Sequence, residues 1–124
     1  MRVLLVDDSP EFLRALDGFL QTVPGIEVVG QARTGGHAVR LAQELDADLV
    51  LLDWMMPGMT GPDAARALKR LGRAPKVVLL SLLNGPECIV DARAAGADGF
   101  VFKGEVTARL PGLIDELFGN RSVA

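Results

Sequence analysis

The chain has 124 residues, 49% of them hydrophobic and 23% charged, which fits one compact domain able to bury roughly two-thirds of the surface its unfolded form exposes. Its net charge of −3, with Lys and Arg scattered rather than clustered, gives no footprint for nucleic acid, and no apolar run nears the roughly 20 residues of a membrane span. A single cysteine, Cys88, rules out an internal disulfide, and the apolar run after Met1-Arg2 gives way to acids too soon for a signal peptide, so a cytoplasmic location is expected.

The first strand is predicted over Arg2–Val6 and runs into Asp7-Asp8. The helix after it has Ser9 as its cap, Pro10 in its first position and Glu11 at the positive end of its dipole. Phe12, Leu13, Leu16, Phe19 and Leu20 share one face, and Pro24-Gly25 is expected to stop the helix. A second strand over Glu27–Ala32 leads to a helix capped by Thr34, with Ala38, Leu41, Ala42 and Leu45 turned inward. The third strand, residues 49–52, ends on Asp53. A third helix follows Gly61-Pro62 and buries Ala64, Ala65, Leu68 and Leu71.

The fourth strand, residues 76–80, ends on Ser81. The helix after Gly85-Pro86 has only a weak apolar stripe of Ile89, Val90 and Ala94, so its packing is expected to be the weakest. Gly96 can end it in the left-handed conformation. Gly99–Phe102 is the fifth strand and ends on Lys103. Leu110, Leu113, Ile114, Leu117 and Phe118 then recur at helical spacing. Because proline inside a helix loses a hydrogen bond, this helix is predicted to start near Leu110, with Pro111 in its first turn. Residues 1–119 form the domain, and residues 120–124 are expected to be a frayed tail.

Alternating strands and helices predict an α/β fold: a doubly wound, flavodoxin-like, five-stranded parallel sheet of order 2-1-3-4-5 with helices on both faces. The first, third and fourth strands read as near-continuous Val/Leu runs, as expected of strands covered on both faces. In that order strands one and three adjoin at the switch point, where ligands bind beyond the carboxyl ends. Asp7, Asp8 and Asp53 meet there, with Ser81 one strand away. Lys103 is two strands from Asp53, about 10 Å, a gap that its side chain largely spans. Each pair of carboxylates about 4 Å apart costs on the order of 4 kcal/mol at an effective dielectric of about 20, so at least one acid should have a raised pKa. A hard divalent cation relieves the repulsion, and Mg²⁺ suits a site of few carboxylates, a backbone carbonyl and waters.

The segment after Asp53, Trp54-Met55-Met56-Pro57-Gly58-Met59-Thr60-Gly61, makes a resemblance specific. Together, the acid pair in LLVDDSP, the DWMMPGMTG segment, Ser81 after KVVLL and AGADGFVFK ending on Lys103 resemble a response-regulator receiver domain of two-component signalling, over essentially the whole chain. The resemblance implies that Asp53 accepts a phosphoryl group from a histidine kinase or a histidine phosphotransfer protein. It implies that Asp8, Asp53 and the Met55 carbonyl hold Mg²⁺, or Mn²⁺, with Asp7 acting through water. Lys103 and Ser81 would contact phosphoryl oxygens, and Ser81 and Phe100 would form the switch. The fourth helix, fifth strand and last helix would bind a downstream protein or output domain, as a monomer or a phosphorylation-dependent dimer. The implied role is that of a signalling phosphoacceptor, not an enzyme acting on other substrates.

Several positions depart from the commonest receiver pattern. Gly104 follows Lys103 where many receivers have proline, so no cis bond is required there. Phe100 has no hydroxyl, and its two states would be sorted by packing alone. Met55 and Leu83 are both apolar at positions where either can be polar in fast-hydrolysing receivers, which predicts a long-lived aspartyl phosphate.

The same residues bear on other readings. A dehalogenase-type phosphatase would place its nucleophile after strand one with a second acid two residues on, and an FMN carrier would need a hydroxyl- and glycine-rich loop there; neither fits Asp7-Asp8-Ser9-Pro10. The remaining alternative is a phosphorylation-independent interaction module of the same shape. His37 reads as a surface residue, Cys88 as packing, Met55, Met56 and Met59 as loop packing, and Trp54 as either a partner-facing rim residue or a half-buried spacer.

Overall fold

The computed structural model describes residues 1–119; the tail expected at residues 120–124 lies outside the described residues. Strands β1 (Arg2–Val6), β2 (Glu27–Ala32), β3 (Leu49–Asp53), β4 (Lys76–Ser81) and β5 (Gly99–Phe102) alternate with helices α1 (Pro10–Leu20), α2 (Gly35–Glu44), α3 (Gly61–Lys69), α4 (Pro86–Ala94) and α5 (Val106–Phe118). All strand pairs are parallel, in the order β2-β1-β3-β4-β5. Strands β3 and β4 each run one residue further than expected, so Asp53 and Ser81 are their last paired residues.

The sheet divides the core in two. On one side Val3, Leu5, Leu49, Leu51, Val78, Leu80 and Val101 pack against Leu13, Leu16 and Leu20 of α1 and Val106, Leu110 and Ile114 of α5. On the other, Leu4, Val6, Val50, Leu52, Val77 and Leu79 meet a surface made largely of alanine: Ala38 and Ala42 of α2, Ala64 and Ala65 of α3, Ala92 of α4. Alternate residues of each strand point to opposite faces, so a strand covered on both sides must be apolar throughout.

The expected caps are present: Ser9 Oγ accepts from the Phe12 N–H at 3.2 Å, and Thr34 Oγ1 accepts from the His37 N–H at 3.2 Å. Helix α1 ends at Leu20, ahead of Pro24-Gly25, where the Thr22 and Val23 N–H groups donate to the Phe19 and Leu20 carbonyls, each at 3.0 Å, in a tighter turn; the Thr22 hydroxyl also donates to the Phe19 carbonyl at 2.6 Å. Gly96 ends α4 at φ +84° as expected. His37 is half-buried rather than fully exposed.

Two helices differ from their sequence patterns. In α4 the buried residues are Cys88 and Ala92, followed by Ala95, while Ile89 and Val90 are 45% and 64% exposed. The expected stripe of Ile89, Val90 and Ala94 therefore faces out. Only small side chains fit where this helix rests on the sheet, and burial of Cys88 agrees with its reading as a packing residue.

Helix α5 starts at Val106, not near Leu110, after a 3₁₀ turn over Lys103–Glu105, so Pro111 lies inside it. A proline there costs about 3 kcal/mol, but Val106 and Leu110 are buried at 7% and 0% exposure. Each such burial contributes about 1.5–3 kcal/mol, which outweighs the lost hydrogen bond. Replacing Pro111 with Ala should raise unfolding stability by about 2 kcal/mol, after the unfolded chain regains some freedom. Urea denaturation measures it, and an unchanged midpoint would show that the helix absorbs the ring without cost.

Candidate functional site

The carboxyl ends of β1, β3, β4 and β5 place their next polar residues around one cleft of about 230 Å³, lined among others by Asp7, Asp8, Asp53, Met55, Ser81 and Lys103. Asp7 is held by its backbone, whose N–H donates to the Ala32 carbonyl at 3.1 Å and so extends the pairing of β1 with β2. Its carboxylate is 2% exposed and makes two bonds: Oδ1 accepts from the Ser9 N–H at 2.9 Å and Oδ2 from Lys103 Nζ at 2.8 Å. Asp53, 5% exposed, lies 3.0 Å through Oδ1 from the same ammonium. Asp8 faces solvent, and the three carboxylates each offer an oxygen within 4.8 Å of the others.

Lys103 spans the gap that the sheet order implied, and its side chain is 10% exposed. Burial alone would lower its pKa, but hydrogen bonds to Asp7 and Asp53 outweigh this and raise it. The ammonium therefore stays charged. Asp53 is the acid whose pKa rises: burial is the main cause and the charge of Asp7 adds to it, against the opposing pull of Lys103 and a backbone hydrogen bond from Met55. One lysine faces three carboxylates, and the excess negative charge suits a hard divalent cation. Oxygen donors of this type favour Mg²⁺ or Mn²⁺ over soft metals.

Ser81 is 3% exposed, and its Oγ accepts from the Leu83 N–H at 3.0 Å. That bond uses a lone pair and leaves the hydroxyl proton to donate into the cleft. Met55 is 68% exposed at the rim, whereas Met56 is buried and Met59 half-buried. Trp54 is half-buried and meets Phe100 edge to face, ring centroids 5.8 Å apart at 88°, which favours the spacer reading over an open rim.

Two residues of the site escaped the sequence reading. In the sequence Gly61 reads only as a helix start, yet a Cβ there would lie 2.5 Å from the Asp53 carbonyl oxygen and 2.8 Å from the Trp54 Cα. Its N–H also donates to the Trp54 carbonyl at 2.7 Å, closing the loop that carries Met55. Gly61→Ala should therefore cost about 1–3 kcal/mol by overpacking, measured by denaturant unfolding; an unchanged stability would mean the loop yields freely. Phe12 reads from helical spacing as core only, but Lys103 Nζ sits 4.3 Å from the centre of its ring.

The raised pKa of Asp53 carries a stability prediction with a definite sign. A carboxyl favoured in its protonated form contributes stability fully below its ordinary value of 3.8 and loses it as pH rises through the raised native value. At neutral pH, in chelator, Asp53→Asn should melt above wild type. Added Mg²⁺ should raise the wild-type melting temperature more than the variant's. A variant that melts below wild type in chelator would contradict this.

Sheet order and cleft together define a doubly wound α/β domain that gathers an acid cluster, a hydroxyl and a lysine at its switch point. The chain belongs to the response regulator receiver domain family of two-component signalling, whose model matches residues 3–115. It is 38% identical over 101 residues to the nitrate/nitrite response regulator protein NarL of Escherichia coli K12, covering 82% of this chain and 47% of that protein. This chain thus spans about half the length of that relative. Among solved structures, the NarL receiver domain of Mycobacterium tuberculosis superposes with a TM-score of 0.87 at 30% identity, covering 97% of each chain. A CheX–CheY complex with BeF₃ and Mg²⁺ from Borrelia burgdorferi gives a TM-score of 0.86 at 25% identity, covering 95% of this chain and 89% of that one.

Proposed function

We propose that Asp53 accepts a phosphoryl group from the phosphohistidine of a histidine kinase or a histidine phosphotransfer protein. The observation that carries this reading is the buried Asp53 carboxylate 3.0 Å from a Lys103 ammonium that Asp7 also holds. In the transfer an Asp53 oxygen forms a bond to phosphorus as the bond to the donor imidazole nitrogen breaks in line, and the electron pair leaves with that nitrogen. Lys103 and the Ser81 hydroxyl meet the charge spread over the phosphoryl oxygens. Asp8, Asp53 and the Met55 carbonyl would hold Mg²⁺ or Mn²⁺, with Asp7 acting through water, and the ion would neutralise the negative charge that gathers as acceptor and donor approach. The CheY relative solved with BeF₃ and Mg²⁺ supports this assignment by similarity.

Phosphorylation is read out by Ser81 moving toward the phosphoryl group and Phe100 turning inward, which changes the face of α4, β5 and α5. That face binds a downstream protein or output domain, as a monomer or as a phosphorylation-dependent dimer. The role is that of a cytoplasmic signalling phosphoacceptor that promotes only its own transfer and dephosphorylation. Intact protein incubated with acetyl phosphate should gain a phosphoryl mass with Mg²⁺ and not with chelator; equal gain in both would remove the metal from the reaction. Met55 and Leu83, both 68% exposed and apolar, cannot orient a hydrolytic water. The phosphorylated form should therefore persist well beyond seconds with Mg²⁺ present, and decay within seconds would refute that.

A further inference from the structure

Resting on the assignment of Asp53 as acceptor, we propose that Phe12 is a positioning residue for phosphotransfer: the face of its ring holds the Lys103 ammonium over the acid cluster. The ammonium is fixed from three sides, 2.8 Å from Asp7 Oδ2, 3.0 Å from Asp53 Oδ1 and 4.3 Å from the ring centre. A ring face is electron-rich and attracts a cation most strongly where water is scarce, and this lysine side chain is 10% exposed.

The ring is placed by the same bonds that build the site. The Asp7 carboxylate accepts from the Ser9 N–H, and Ser9 Oγ accepts from the Phe12 N–H. Asp7 therefore anchors the lysine through one oxygen and, through the other, the turn that carries the ring. Lys103 shares a small groove with Phe12, Leu16, Val106 and Thr107, between α1 and α5.

A lysine has a long flexible stem and three equivalent donors. When a phosphoryl group joins Asp53, the ammonium exchanges its bond to Asp53 for one to a phosphoryl oxygen. Asp7 and the ring do not take part in that exchange, and they keep the ammonium within reach while it happens. Leucine at position 12 preserves much of the apolar contact but removes the ring face.

The test incorporates phenylalanines bearing one, two or three ring fluorines at position 12, because fluorine drains the ring face with little change in volume. Initial rates of phosphorylation by acetyl phosphate with Mg²⁺ are read by intact mass. The rate should fall stepwise with fluorine number, drop roughly 3- to 30-fold in Phe12→Leu and be retained in Phe12→Trp, with every variant still folded and unfolding cooperatively above the assay temperature. Equal rates across the fluorine series, or a wild-type rate in Phe12→Leu, overturn the proposal.

A second measurement needs no phosphorylation: the Lys103 side-chain protons nearest Nζ should show a ring-current upfield shift that Phe12→Leu abolishes. Its absence in wild type overturns the proposal as well. No phosphoryl gain in wild type overturns both this and the Asp53 assignment, whereas gain that ignores position 12 overturns this one alone.

Discussion

Asp53→Asn, incubated with acetyl phosphate and Mg²⁺, is expected to take up no phosphoryl group, with the initial rate down by more than about 10³-fold; loss of a nucleophile in a preorganised site costs up to about 10⁶-fold. An amide has no charged oxygen to attack phosphorus, and the change also removes one of the three clustered carboxylates. The fold is not the cause of the loss. Asn is nearly the same shape, and removing a negative charge from a buried, acid-rich position relieves the native state. Intact-mass measurement reads uptake, and a melting curve in chelator reads the fold. Uptake equal to wild type would dismiss Asp53 as acceptor. Full partner binding by the unphosphorylated variant would favour an interaction module that does not depend on phosphorylation.

Lys103→Met carries the second large effect, and its consequences separate by metal. Asp7 and Asp53 are 2% and 5% exposed, and the ammonium is the cation that both contact. Removing one partner of a buried ion pair costs about 3–5 kcal/mol, so the variant should be destabilised by that amount in chelator at neutral pH. Mg²⁺ in about 100-fold excess over its dissociation constant contributes about 2.7 kcal/mol and should restore much of the loss. The rate of phosphorylation should remain down by about 10²–10³-fold even then, because a contact to the phosphoryl oxygens is gone. Denaturant unfolding with and without Mg²⁺, beside the phosphorylation rate, measures both. Wild-type stability in chelator would mean that the cluster does not depend on the lysine for charge balance.

The legible parts of this protein were those set by neighbours in the chain. Ser9 and Thr34 were readable as caps because a hydroxyl three residues before a free N–H forms its bond within one turn. The near-continuous Val/Leu runs marked strands covered on both faces. The buried face of helix α4 is not legible in the sequence because its apolar residues surround it: Ile89 and Val90 are larger than Cys88 and Ala92, yet the smaller pair faces the sheet. Bulk is not the criterion where a helix lies close to strands. The start of helix α5 is not legible because Pro111 opposes it locally, whereas the burial of Val106 and Leu110 that outweighs this cost is a tertiary effect.

The sequence alone therefore determined the order of the elements, the parallel sheet and the set Asp7, Asp8, Asp53, Ser81 and Lys103, since each depends on local periodicity and on connection rules that leave few topologies. Tertiary structure alone decided how those residues share charge: that Lys103 bonds Asp7 as well as Asp53, that Ser81 is already tied to Leu83, that Gly61 has no room for a side chain and that Phe12 lies under the ammonium. These contacts turn on distances of a few ångströms between side chains on different elements. Strand register and rotamers set such distances, and neither is encoded in the spacing of residues along a single segment.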